Sequence, residues 1–441
     1  MIGETLGAGP RRIIVFSCYL LSGMLAATPA LAQGTTLQGG DTAWVLTATA
    51  LVLFMTMPGL ALFYGGLVRS RNVLSVLMHC AGICCLVSVL WLLLAYSLAF
   101  GDGGALNAYI GGASKAFLTG VSFDTLKGTL PESVFFMFQM TFAIITPALV
   151  VGAFVERIKF SAVVWFGGLW LLLVYVPVAH WVWGGGWLAQ AGVLDFAGGL
   201  VVHTSAGVSA LIAALVIGSR SGFPEEPMIP HSPGMTLAGA AMLWVGWFGF
   251  NAGSALAANG NAAMAMTVTH VAAATAALVW MAIEWYLHGR PSLVGIATGM
   301  IAGLATVTPA SGYIGPLGGF VIGVAAGALC YAATAYIKRT LKIDDSLDVF
   351  AVHGVGGMTG TALTAIFADA VFGGVGLAEG TGIGGQLSVQ ITGILATAVW
   401  SGLISYVLFK GIDVTLGLRV PAEQEREGLD ITAHGERGYT L

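Results

Sequence analysis

Charge is what this sequence has least of. Only 9% of its 441 residues are Asp, Glu, Lys or Arg, against about a quarter in a soluble domain. So thin a supply excludes a water-soluble fold, and no nucleic-acid partner is expected. Cysteine is rarer still. Of five, Cys18 lies in an N-terminal leader, while Cys80, Cys84, Cys85 and Cys330 lie inside apolar runs. That placement argues against a disulfide framework and a thiol zinc site. Strand-like alternation is missing too. The apolar runs are about twenty residues long and do not alternate, which excludes an outer-membrane barrel.

What fills the chain is apolar and small. Hydrophobic residues make up 57%, mean hydropathy is +0.88, and 64 residues are Gly. In a bilayer, small residues let helix backbones approach closely. The expected class is therefore an all-α membrane protein, a tightly packed helical bundle. Before it comes a leader: Arg11 and Arg12, the apolar run Ile13–Leu25, then Ala30-Leu31-Ala32. This is the pattern of a secretory signal peptide cut after residue 32.

Eleven spans are expected, at about 42–68, 73–100, 132–154, 160–182, 197–217, 235–255, 261–286, 292–309, 315–337, 348–370 and 387–410. A cleaved leader puts the mature N-terminus outside. Loops then falling inside hold Arg69, Arg71, Arg157, Lys159, Arg220, Arg290, Lys338, Arg339 and Lys342, while outer loops hold only Lys115 and Lys127. That bias follows the positive-inside rule and sets an N-out, C-in topology. Spans one to five lie against spans six to ten as inverted repeats, with the eleventh helix added. Such repeats place a substrate path at their interface.

Two histidines stand in comparable places in the two repeats, His203 in GGLVVHTSAG and His353 in DVFAVHGVGG. Asp195 opens the fifth span eight residues before His203, and Asp348 the tenth span five residues before His353. At about 1.5 Å per residue both rings approach the middle of the membrane, from opposite faces. A titratable ring there needs a partner or a cavity. Two neutral imidazoles sharing a proton each keep one nitrogen free, which suits a small molecule that both donates and accepts hydrogen bonds. The plainer reading is two core histidines bonded to backbone carbonyls. A metal site lacks further ligands nearby. His79, His180 and His270 read as packing residues.

An aromatic set gathers toward the outside. Phe138 and Phe142 lie one turn apart, Phe250 precedes Ser254 by four, and Trp183 opens the WGGGWL loop. Aromatic faces attract a cation, and a hydroxyl beside them accepts an N–H bond. An interfacial belt is the simpler account, and it suits Trp181 and Trp187. Asp195 stands where an N-cap would, structural and electrostatic at the entrance. The remainder, 411–441, is a polar cytoplasmic tail whose Leu416, Leu418 and Val420 suggest docking; Glu423, Glu425, Arg426 and Glu427 suit a solvated segment.

WGGGWL, DFAGGLVVHTSAG, GWFGFNAGSA, TPASGYIGP, DVFAVHGVGGMTG and the tail GLRVPAEQEREGLDITAHGE resemble the ammonium transporter family, its bacterial branch above all, from about residue 40 onward. The resemblance implies an eleven-helix bundle assembled as a homotrimer in the inner membrane, with a pore through each subunit and no cofactor or catalytic residue. It implies that Phe138, Phe142, Trp183 and Ser254 recruit ammonium, that Phe142 and Phe250 form a gate, and that His203 and His353 are a twin-histidine pair. It also implies a PII-type nitrogen regulator on the tail. Two other classes remain: an ammonium sensor signalling through the tail, against which the want of an output domain after the eleventh span weighs, and an intramembrane enzyme, which lacks a nucleophile or metal set.

Overall fold

The computed structural model describes residues 36–439; the expected leader lies outside them. Where water is absent, a backbone satisfies its own polar groups by forming helix, and the described chain is mostly helical. In chain order the long helices are α1 (Gly39–Leu67), α2 (Ser70–Phe100), α3 (Glu132–Val151), α4 (Phe160–Gln190), α5 (Gly199–Ile217), α6 (Pro233–Trp247), α7 (Gly260–His288), α8 (Leu293–Val307), α9 (Pro316–Thr340), α10 (Phe350–Phe367) and α11 (Ile383–Thr415). Nine of these, all but α6 and α8, are long and apolar enough to cross a membrane. Helix α6 runs on through one wider turn, Phe248–Ala252.

Helix starts follow local chemistry. The Ser232 hydroxyl accepts the Met235 N–H with Pro233 in the first turn, Asn259 accepts from Ala262, and Ser292 accepts from Gly295; each satisfies a donor the helix cannot. The long run of α4 ends at Val182, where the sequence puts it. The chain turns at Trp183–Gly186, through three glycines, and a short helical turn follows over Trp187–Gln190. Helix α11 reaches Thr415, five residues beyond expectation. The all-helical expectation misses a two-residue hairpin, β1 (Leu126–Lys127) against β2 (Leu130–Pro131), in the loop after α2.

Burial ranks the helices. Along α3, 94% of the most apolar window is buried inside the protein, against 33% for α9 and 28% for α11. Helix α3 is thus the central post, while α9 and α11 turn much of their apolar surface outward. A second regularity is invisible in hydropathy. Helix α1 kinks at Met57, whose backbone is extended ahead of Pro58, and wider π turns interrupt the helices at Trp91–Ala95, Leu171–Tyr175, Gly199–Thr204, Phe248–Ala252, Tyr336–Thr340 and Phe350–Val355. Each π turn accommodates an extra residue in the helical ladder.

The loops at the tail end carry the buried charge. Arg220 holds Asp344 with two nitrogens at 2.8 and 2.9 Å and Glu156 at 3.0 Å. Glu156 also accepts from Arg69 and from the Asn72 amide. Arg157, fully buried, donates to Gly218 O, Asp344 O, Ala153 O and Ser346 Oγ. Burial would raise the Asp344 carboxyl, but Arg220 and Arg157 overcome it and hold the group at about 2.

The tail is bound to this layer. Val420 N–H donates to Arg157 O and Lys159 N–H to Leu418 O. Leu418 and Val420 are buried, as a docking tail requires, whereas Leu416 is exposed. The segment is not simply solvated: Glu425, in α12 (Ala422–Glu427), is buried, pairing with Arg419 and accepting Ser221 N–H. In α13 (Leu429–His434), Leu429 N–H donates to Asn72 Oδ1, and Asp430 accepts Ser75 N–H at 2.8 Å. The tail therefore caps the regular part of α2, which starts at Val73 and whose N-cap residue, Asn72, makes no side-chain capping bond of its own.

Candidate functional site

The two histidines meet. His203 lies in the π turn that opens α5, His353 in the π turn that opens α10. Their Nδ1 atoms are 3.2 Å apart and their ring planes differ by 22°. Glycine permits the approach. A Cβ on Gly207 would fall on the backbone of Gly354, and one on Gly357 would crowd the His203 side chain and the Gly199 carbonyl. With no side chain between them, α5 and α10 cross nearly backbone to backbone. Neither ring bonds a backbone carbonyl, so the plain core reading does not describe them.

The Nδ1–Nδ1 contact constrains protonation. One Nδ1 carries the shared hydrogen and donates; the other accepts. In a neutral pair the first ring presents a bare Nε2 and the second an Nε2–H. His203 Nε2 is enclosed without a hydrogen-bond partner. The pair borders a narrow cavity lined by Met55, Leu60, Phe63, Ile145, Leu149, Val202, Leu243, Trp247, Phe250 and Ile301 together with the two imidazoles. The histidines supply its only titratable groups. Trp247 stacks over His203, centroids 5.6 Å apart. Sequence reasoning missed Trp247, although its place three residues before Phe250 puts both on one face of the helix.

On the Trp183 side the cavity is closed by Phe142 and Phe250, stacked with centroids 4.2 Å apart. Beyond them opens a vestibule lined by Phe100, Phe135, Gln139, Phe142, Val182, Trp183, Phe196, Ser254 and Leu256. Trp183 stands edge-on to Phe142 at 5.8 Å, its indole N–H donating to Asp195 O. The Ser254 hydroxyl donates to Phe250 O, leaving its oxygen able to accept. Three of the four predicted recruitment residues thus line one space. Phe138 does not border it. Fully buried, it packs behind Phe142 and against Gly253.

Asp195 is the cap it was expected to be. Its two oxygens accept four backbone N–H groups, from Gly198 and Gly199 at 2.8 and 2.6 Å and from Leu200 and Val201 at 2.8 and 3.2 Å. At the other helix Asp348 opens the first turn through its backbone, its carbonyl accepting Val352 N–H at 2.9 Å, while its side chain pairs with Lys338 at 2.8 Å. The capping carboxylate is Asp345, whose Oδ2 accepts Phe350 N–H at 2.7 Å. Spacing from carboxylate to histidine is then eight residues in both helices. Two other histidines have structural partners: His180 bonds Ala99 O and Asn107 O, and His79 stacks on Phe160. His270 packs on Trp244. Among the described residues no three His, Cys, Asp or Glu side chains gather as a metal would need.

Residues 43–439 match the model of the Ammonium Transporter Family. An ammonium transporter of Bacillus subtilis (strain 168) is 45% identical over 407 residues, covering 91% of this chain and 99% of its own length. Ammonium transporter Amt1 of Archaeoglobus fulgidus is 44% identical over 403 residues, covering 91% and 99%. Among solved structures, a protein described as a sensor Amt protein matches with a TM-score of 0.83 at 30% identity, covering 90% of this chain and 98% of that one. Saccharomyces cerevisiae Mep2 matches with 0.80 at 34%, covering 88% and 89%. The chain belongs to the ammonium transporter family.

Proposed function

We propose that this protein carries ammonium across the inner (plasma) membrane, taking up the cation in the vestibule and passing neutral ammonia through the histidine-lined cavity. The observation that carries the reading is the imidazole pair, 3.2 Å apart, in a passage with no charged wall. An ammonium ion meets the ring faces of Trp183 and Phe142, each worth about 0.5–2 kcal/mol to a cation, and the Ser254 oxygen. The Phe142–Phe250 stack bars a hydrated ion. Burying a bare cation beyond it costs several kcal/mol. Ammonium escapes that cost by giving up a proton; potassium cannot. The Nε2 and Nε2–H of the histidine pair then accept from and donate to ammonia.

The eleven long helices are all spans in this reading, with the N-terminus outside after leader cleavage and the tail in the cytosol. Helices α1–α5 and α6–α10 form inverted repeats. The matching eight-residue spacings and the two π turns at His203 and His353 support this, as does the positive-inside bias. The subunit works as a homotrimer with one pore each, and a PII-type regulator binds the tail-end face. A second reading, a sensor, draws on the likeness to the sensor Amt protein and on the tail's hydrogen bonds to the α2 start.

Purified protein in liposomes tests the first reading. An ammonium pulse should produce flux, read as current or as internal pH change; silence on both measures sinks it. Replacing Trp183 with Leu should weaken recruitment while leaving selectivity over potassium intact. The opposite pattern removes Trp183 from the entrance.

A further inference from the structure

Each histidine helix is started by a buried carboxylate, but the two carboxylates are not equivalent. Asp195 has both oxygens engaged, two N–H donors to each. Burial pushes its carboxyl up and the four N–H groups oppose that; a proton added there would face a donor. Asp345 is fully buried, and only its Oδ2 is bonded, to Phe350 N–H. Its Oδ1 is enclosed with no hydrogen-bond partner. A buried carboxylate oxygen without a donor is costly, and a proton relieves the cost.

The charged neighbours point the same way. Asp348, on the same loop, adds a like charge, which Lys338 on α9 partly offsets by pairing with it. Tyr64 on α1 is the titratable group facing from the other side, its hydroxyl committed to Leu149 O. Asp344, next in sequence, is neutralised by Arg220 and Arg157. Burial first and Asp348 second raise the Asp345 carboxyl to about 7, against the pull of Phe350 N–H, Lys338 and Val349 N–H. It is neutral below that value and ionised above it.

We propose that Asp345 is a positioning residue for His353 whose single exchangeable proton makes the tail-end half of the pore respond to cytosolic pH, while Asp195 holds the His203 half fixed. When Asp345 loses its proton, Oδ1 must find water or a donor. The loop that delivers Phe350 N–H, three residues before His353, then shifts with it. For its transport readout the proposal rests on the ammonium reading above.

The test uses the full chain in liposomes, external pH held constant and cytosolic-side pH stepped from about 6 to 8, around the Asp345 midpoint. Wild-type ammonium flux should change by about fivefold, an ordinary coupling between two sites, with its midpoint near 7. Asp345→Asn keeps an oxygen for Phe350 N–H but cannot titrate, so its profile should be flat. Infrared difference spectra of the wild type should show a buried protonated carboxyl disappearing over the same range, and Asp345→Asn should lack that band. A pH profile preserved in Asp345→Asn overturns the proposal, as does a wild type whose spectra show no such carboxyl. The spectra need no variant to fold. If the carboxyl titrates but no ammonium passes at any pH, the transport reading fails and the Asp345 titration stands.

Discussion

The histidine cavity and the tail-end face lie a few residues apart in the chain, Leu149 to Glu156 or Asp344 to His353, yet they treat polarity in opposite ways. At the tail end, Arg157, Arg220, Glu156 and Asp344 are all buried and every one is paired. In the pore the polar groups are two imidazoles paired only with each other, and His203 Nε2 has nothing. Paired charges hold the tail-end layer in place, while the imidazole pair keeps hydrogen-bonding capacity unfilled. The comparison separates side chains that complete the fold from side chains that keep hydrogen-bonding capacity to spare.

It is broken most forcefully at Arg220. Arg220→Met takes from buried Asp344 its bidentate partner and leaves Glu156 with Arg69 as its one cation, and losing one partner of such a group costs about 3–5 kcal/mol; thermal melting in detergent should show it. Gly207→Val comes next. The new side chain falls on the Gly354 backbone, overpacking costs about 1–3 kcal/mol, and spreading α5 from α10 should also abolish ammonium flux. Asp430→Ala removes the cap that the tail supplies to α2 and should cost about 1 kcal/mol, seen as earlier proteolysis of the tail. Acid sharpens the contrast. Asp344 is held at about 2, below its unfolded value near 4. Its contribution is present above about pH 4 and is lost as pH falls toward 2, so melting temperature should drop over that interval and not above it. Smallest in stability are His203→Ala and His353→Ala, expected within about 1 kcal/mol of wild type because each deletes an under-satisfied group. Both should nonetheless alter ammonium flux or its selectivity over potassium; unchanged transport in both would make the pair structural.

Helix positions were legible because hydropathy reports directly on what a bilayer demands. The pairing of His203 with His353 was legible from their matching places, and Asp195 from its place before an apolar run. Asp345 was not. Three carboxylates crowd the segment DDSLD, and only packing decides that Asp344 meets Arg220, Asp345 caps α10 and Asp348 turns to Lys338. Phe138 was assigned to the vestibule because spacing shows which helical face a residue shares with Phe142 but not which of the two reaches the open space. The tail's cap on α2 spans 355 residues of sequence, beyond any local pattern.

The π turns at Gly199–Thr204, Phe248–Ala252 and Phe350–Val355 carry His203, Phe250 and His353. A π turn is an insertion that the helix has absorbed. Deleting one residue there would return the segment to regular α-helix and leave the residues beyond it nearly in register, so that the side chains within the turn are the ones re-aimed. Phe250 and both histidines therefore sit where the chain can be re-addressed by a change in length rather than in composition. Along these three helices, a single-codon insertion or deletion is a way of choosing which side chains face the passage.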